Sequence, residues 1–138
     1  MRPLLGLLTL AAAIALLGAA CASGLANATS QIVAIRYSQF EPGLVTVPQG
    51  VPITFTLQND DPIEHEWIVG NADVHESHRT GAEPFHSEIP SEVTIPALST
   101  RQTTITFDQP GEYAFICHLP GHEAYGMVGA VQVVASGS

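Results

Sequence analysis

Beyond residue 30, apolar and polar positions alternate in short runs separated by turn residues. Residues 53–58 (ITFTLQ) and 103–107 (TTITF) place every second side chain apolar, the period of a half-buried strand. Further β-rich runs lie at 31–38, 44–47, 66–69, 92–95, 113–117 and 128–134. Pro48-Gln49-Gly50, Asn59-Asp60-Asp61-Pro62 and Gln109-Pro110-Gly111 supply the turns between them. No run carries a long helical period. The pattern predicts an all-β Greek-key sandwich of seven to eight strands. Residues 70–91 do not fit it: they form a long connection without strand pattern, the kind that is usually functional or mobile, with a short helix expected around 80–86.

The N-terminus has a different pattern. Arg2 precedes an uncharged apolar run over residues 3–20 that ends in Gly18-Ala19-Ala20, as in a secretory signal. Cys21 follows, in a setting that resembles a bacterial lipoprotein processing site, although Gly18 stands where that pattern prefers leucine. Lipidation of Cys21, with a membrane tether, stands beside two alternatives: ordinary cleavage nearby, and an uncleaved anchor. All three export the folded part, to the bacterial periplasm or the outer face of the cytoplasmic membrane. The expected organisation is a signal at 1–20, a small-residue linker at 21–30 and one domain over 31–138.

Charge narrows the partners. The chain has 13 acids, four arginines and no lysine, a formal net charge of −9. Without the signal, Arg36, Arg79 and Arg101 face all 13 acids, and the charge becomes −10. That excludes nucleic acid, whose phosphates need a basic face. It argues instead for a monomer that meets basic partners through long-range attraction.

The chemistry lies near the end of the chain. Cys117, His122 and Met127 follow a C-x4-H-x4-M spacing, and His65 stands upstream, just past a turn. Taken singly, each has a bland reading: a buried free thiol, a core methionine, a structural histidine. Together they offer a thiolate and a thioether, soft donors that suit copper(I), and two imidazoles that bind both copper states. A His₂Cys set with a weak axial Met describes a blue-copper electron-transfer centre.

These residues sit in segments that resemble the cupredoxins. Phe40-Glu41-Pro42 with Leu44 and Val47-Pro48-Gln49-Gly50 is similar to the family's opening. Residues 55–59 followed by His65 are similar to its first-ligand segment. Pro110-Gly111-Glu112-Tyr113 leading to Cys117, then Pro120-Gly121-His122 and Gly126-Met127-Val128-Gly129, resemble its C-terminal ligand loop, nearest to auracyanin- or rusticyanin-like members. The resemblance implies one type 1 copper ion held by His65, Cys117, His122 and Met127. It also implies a single-electron carrier rather than an enzyme, with a copper trafficking or storage module as the alternative. Ile116 precedes Cys117 where multicopper oxidases carry a second histidine, so no trinuclear cluster is expected.

Three further expectations concern the surroundings. Glu66 and His118, each following a ligand, are expected to bond to one another and tie the two ligand segments. Leu119, Pro120, Ala124 and Tyr125 are expected to form an apolar rim around His122. His75-x2-His78, with His86 nearby, offers either a second metal site or incidental histidines in a solvated acidic loop.

Overall fold

The computed structural model describes residues 29–82 and 89–135; the signal segment, Cys21 and His86 lie outside the described residues. Nine strands and one helix are present among the described residues. They are β1 (Ser30–Arg36), β2 (Gln39–Glu41), β3 (Leu44–Pro48), β4 (Pro52–Asn59), β5 (His65–Gly70), α1 (Ala72–Thr80), β6 (Glu92–Ile95), β7 (Thr100–Thr106), β8 (Gly111–Ile116) and β9 (Val128–Val134). One sheet runs β2-β1-β4-β7 and the other β3-β9-β8-β5-β6. The pairs β1–β4 and β3–β9 are parallel, and the remaining ladders are antiparallel.

Alternation decides which side chains meet. Along β4, Ile53, Phe55, Leu57 and Asn59 are buried while the residues between them are not. They face Val33 and Ile35 of their own sheet's inner side and, from the opposite sheet, Val45, Val47, Trp67, Val69, Phe115, Val131 and Val133. Phe55 packs on Trp67 at 4.9 Å and Trp67 on Phe115 at 5.9 Å between ring centroids. Burying each of these rings contributes roughly 1.5–3 kcal/mol relative to leaving it in water. The result is a sandwich whose two sheets are locked by aromatic contacts through its middle.

Two elements depart from the sequence expectation. The first is β2, which pairs with β1 through a two-residue turn, Tyr37-Ser38, with φ of 54° and 55°. Both residues are left-handed, the conformation of a hairpin turn normally signalled by Asn-Gly. The second is a helix over Ala72–Thr80, where the pattern predicts none; of the expected helix at 80–86, residues 83–86 lie outside the described residues. Its limits follow from its caps. The Asn71 side chain accepts the N–H groups of Asp73 and Val74, both at 3.1 Å. Gly81, at φ 66°, closes the other end, and the Ala82 N–H reaches Ser77 O at 2.9 Å. Helix α1 lies against β5, with Gly70 giving room for Val74.

Between β8 and β9, Gly129 stands opposite Phe115. A Cβ there would overlap the Phe115 ring and come within 2.7 Å of Gly43 O. Gly129→Ala should therefore lower stability by about 1–3 kcal/mol. Urea unfolding followed by Trp67 fluorescence will show this as a lower midpoint with an unchanged slope.

Candidate metal centre

The site is built at one end of the sandwich, where β5 begins and β8 ends. The connection from β4 to β5 is organised by Asn59, which is buried. Its Nδ2 faces the carbonyls of Ile63 at 2.8 Å, Pro96 at 3.0 Å and Ile95 at 3.1 Å. Its Oδ1 accepts the Asp61 N–H at 3.0 Å. Asp61 is thereby turned inward. Its carboxylate accepts the N–H groups of Tyr37 and Ser38, both at 2.8 Å, and meets His65 Nε2 at 2.9 Å. Burial alone would raise the Asp61 pKa, but the Ser38 and Tyr37 N–H groups and the His65 ring outweigh it and hold the carboxyl below its usual range.

An ionised carboxylate only accepts, so His65 Nε2 carries the proton and Nδ1 presents a lone pair. That Nδ1 lies 3.2 Å from His122 Nδ1. Cys117 Sγ lies 3.3 Å from the same His122 nitrogen and accepts the Glu66 N–H at 3.3 Å. The ligand atoms of His65, Cys117 and His122 all fall within 4.8 Å of one another. Burial pushes the Cys117 thiol pKa up, against the lowering effect of the Glu66 and Leu119 N–H groups. Burial likewise lowers the His65 pKa, opposed by Asp61.

The loop from Cys117 to Met127 is held by its own backbone. His122 N–H bonds Leu119 O at 3.0 Å, Gly126 N–H bonds Glu123 O at 2.9 Å, and Met127 N–H bonds His122 O at 3.0 Å. Cys117 N–H then bonds Met127 O at 3.2 Å and closes the loop on itself. Met127 is fully buried, and its backbone pairs with both Cys117 and His122. His122 is half-buried beside Pro120, Ala124 and Tyr125, all exposed, and Leu119 packs partly against the core.

Two imidazole nitrogens and one thiol sulfur thus converge on one point, with His65 and Cys117 buried and His122 half-buried. A single proton can bridge only one of their contacts; a soft cation answers all three. The donor set fits one type 1 copper ion. The description of a cupredoxin-like domain matches residues 7–130 of the sequence. The chain belongs to the cupredoxin-like family. This cupredoxin is 30% identical over 112 residues to the copper-resistant cuproprotein CopI of Rubrivivax gelatinosus, covering 78% of this chain and 67% of that one. It is 27% identical over 126 residues to CopI of Pseudomonas aeruginosa, covering 68% and 70%. Among solved structures it resembles dithionite-reduced auracyanin of Roseiflexus castenholzii, with a TM-score of 0.66 and 24% identity over 78% of this chain and 98% of that one. Auracyanin A of Chloroflexus aurantiacus, a blue copper protein, gives 0.61 and 22% over 76% and 98%. At that identity the likeness speaks for the fold.

Around the site of this cupredoxin, one expected bond is replaced. Glu66 does not reach His118 with its side chain; its backbone N–H goes to Cys117 Sγ instead. His118 turns to the helix, with Nε2 2.9 Å from His75 Nδ1. His75 and His78 are correspondingly neither solvated nor gathered on a single point: His75 meets His118 and Ala114 O, and His78 meets Val74 O and lies 3.7 Å from Glu92. Burial, then the neighbouring His75, pushes the His118 pKa down to about 4, and burial also lowers that of His75. Sequence reasoning missed Asp61 and Asn59 as supports of His65. The signal was an acid four residues before a histidine, in a stretch that also reads as ordinary turn chemistry.

These shifts fix a pH dependence. As pH falls below about 6.5, the unfolded chain takes up protons that His118, His75 and His65 refuse in the fold. Stability then falls with pH, and in more acidic solution Asp61 and Glu123, both held below their ordinary values, add to the loss. The metal-free protein should melt at a steadily lower temperature from about pH 7 to about pH 4.5 by calorimetry. Asp61→Asn, which keeps the shape but removes the charged acceptor, should cost about 1–3 kcal/mol at neutral pH in urea unfolding.

Proposed function

We propose that this cupredoxin is an exported single-electron carrier whose copper is held by His65, Cys117 and His122, with Met127 as the weak fourth ligand. The observation that carries the reading is the convergence of His65 Nδ1, Cys117 Sγ and His122 Nδ1 in a buried, backbone-braced site. Bound there, copper supplies reversible uptake of one electron. The chain's part is to hold its donors in one arrangement for both oxidation states, so that little has to move when the electron arrives. Asp61 fixes the His65 tautomer, the Glu66 N–H stabilises negative charge on Cys117 Sγ, and the closed loop keeps water from the sulfur. With Met127 in the fourth position no place is left for a substrate, which favours a carrier over an enzyme.

Electrons enter and leave through the His122 side in this reading. Tyr125 is 80% exposed there, beside Pro120 and Ala124. A small apolar rim in an otherwise acidic surface suits brief encounters with a basic redox protein, at rates that fall with added salt. Among the described residues no helix is long and apolar enough to cross a membrane.

A second reading has its own support. The CopI relatives are named as copper-resistant cuproproteins, which favours copper handling over electron traffic. One set of measurements separates the two. A carrier will bind one copper per chain, show an intense visible copper–thiolate band that Cys117→Ser abolishes, and titrate reversibly as a one-electron couple. Tyr125→Asp, at the exposed rim, should then slow electron exchange with a basic cytochrome several-fold without changing the spectrum. A colourless protein that retains only copper(I) would instead establish the handling reading.

A further inference from the structure

Helix α1 buries little apolar surface: its sequence is ADVHESHRT, and the buried residue on it is a histidine. A cover for a hydrophobic sheet would be built differently, with apolar residues along one stripe. What α1 carries instead is a set of polar contacts aimed at the ligand loop.

The first runs from His75. Its Nε2 lies 3.2 Å from Ala114 O on β8 and its Nδ1 2.9 Å from His118 Nε2. A carbonyl only accepts, so His75 Nε2–H donates to Ala114, and His118 Nε2–H donates to His75 Nδ1. Both tautomers and both ring orientations are thereby fixed. The His118 ring is further held between His75 and His78, with centroids 5.2 Å away on each, and its side chain is 5% exposed. The second contact runs from Arg79. Its Nε reaches both oxygens of Glu123, at 3.1 and 3.2 Å, and its Nη2 adds a third bond. Such a multidentate guanidinium–carboxylate contact sets orientation as well as distance.

The two residues gripped are His118 and Glu123. His118 directly follows Cys117, and Glu123 directly follows His122. Slightly more than one helical turn separates His75 from Arg79, so a rigid rod spans the two gripping points. The rod is itself anchored by its Asn71 and Gly81 caps and by Val74 against Gly70.

We propose that α1 is a strut that sets the placement of Cys117 relative to His122, with His75 positioning Cys117 through His118 and Arg79 positioning His122 through Glu123. The inference rests on the ligand assignment proposed above. Without the strut, the loop relaxes toward the tetragonal arrangement that copper(II) prefers.

The test uses the copper-loaded full chain and the variants His75→Gln, Arg79→Leu and Arg79→Lys. The first two should keep one copper per chain yet raise the higher-energy copper–thiolate band relative to the lower one. They should also widen the copper hyperfine splitting in electron paramagnetic resonance and lower the reduction potential. Arg79→Lys, which keeps the charge but loses the fork, should fall between wild type and Arg79→Leu. Arg79 is a surface residue, so the Arg79 pair carries the test even where His75→Gln folds poorly. Spectra and potential unchanged in Arg79→Leu and His75→Gln, with only the melting temperature lowered, would overturn the strut and make α1 a plain stabilising cover. A wild-type protein without a copper–thiolate band would refute the ligand assignment itself, and the strut with it.

Discussion

One buried carboxylate holds together parts of this protein that are far apart in sequence. Asp61 accepts from Tyr37, Ser38 and His65, and its own carbonyl accepts the Leu98 N–H at 3.0 Å. Three of those four residues, Tyr37, Ser38 and Leu98, are non-glycine residues with positive φ. Each left-handed residue costs roughly 1–2 kcal/mol, and each hydrogen bond to a charged acceptor returns about 1.5–3 kcal/mol. The carboxylate therefore outweighs the strain of the β1–β2 turn. The same group fixes which nitrogen of His65 is free to face the site. Hairpin, loop and ligand orientation share a single support.

The sandwich makes that support effective. His65 opens β5 and Cys117 follows β8, neighbouring antiparallel strands whose spacing is set by their ladder. The Glu66 N–H to Cys117 Sγ bond then crosses between those strands at the site itself. His122 and Met127 belong to a loop closed by backbone bonds between its ends. A donor set mounted this way is preorganised, so its geometry belongs to the protein more than to the ion it holds. That is the physical basis for the proposed reading of the centre as a carrier.

Much of the fold was legible because strand periodicity is a local property. All eight runs read from the alternation correspond to strands, with ends shifted by a few residues. The additional strand, β2, has only three residues and a turn without Asn or Gly, because a distant carboxylate stabilises it. The helix was legible in principle from Asn71 and Gly81, its caps, but its face is so polar that hydrophobic periodicity gives no sign of it. Around the site, the grouping of His65, Cys117 and His122 followed from residue type and spacing. The Glu66–His118 bond did not, since adjacency to a ligand says nothing about which way a side chain turns.

The sequence by itself determined the strand pattern, the acidic surface and the four residue types that suit copper, because composition, period and donor softness are written residue by residue. Only the tertiary structure decided how those residues are held. The Asp61 carboxylate, the His75–His118 pair and the Arg79–Glu123 contact join positions 4, 43 and 44 apart, counting His65 as Asp61's partner. The two long-range contacts exist because α1, packed against β5, meets the loop that follows β8. A hydrogen bond needs two groups within about 3 Å, and nothing local in the chain brings such partners together.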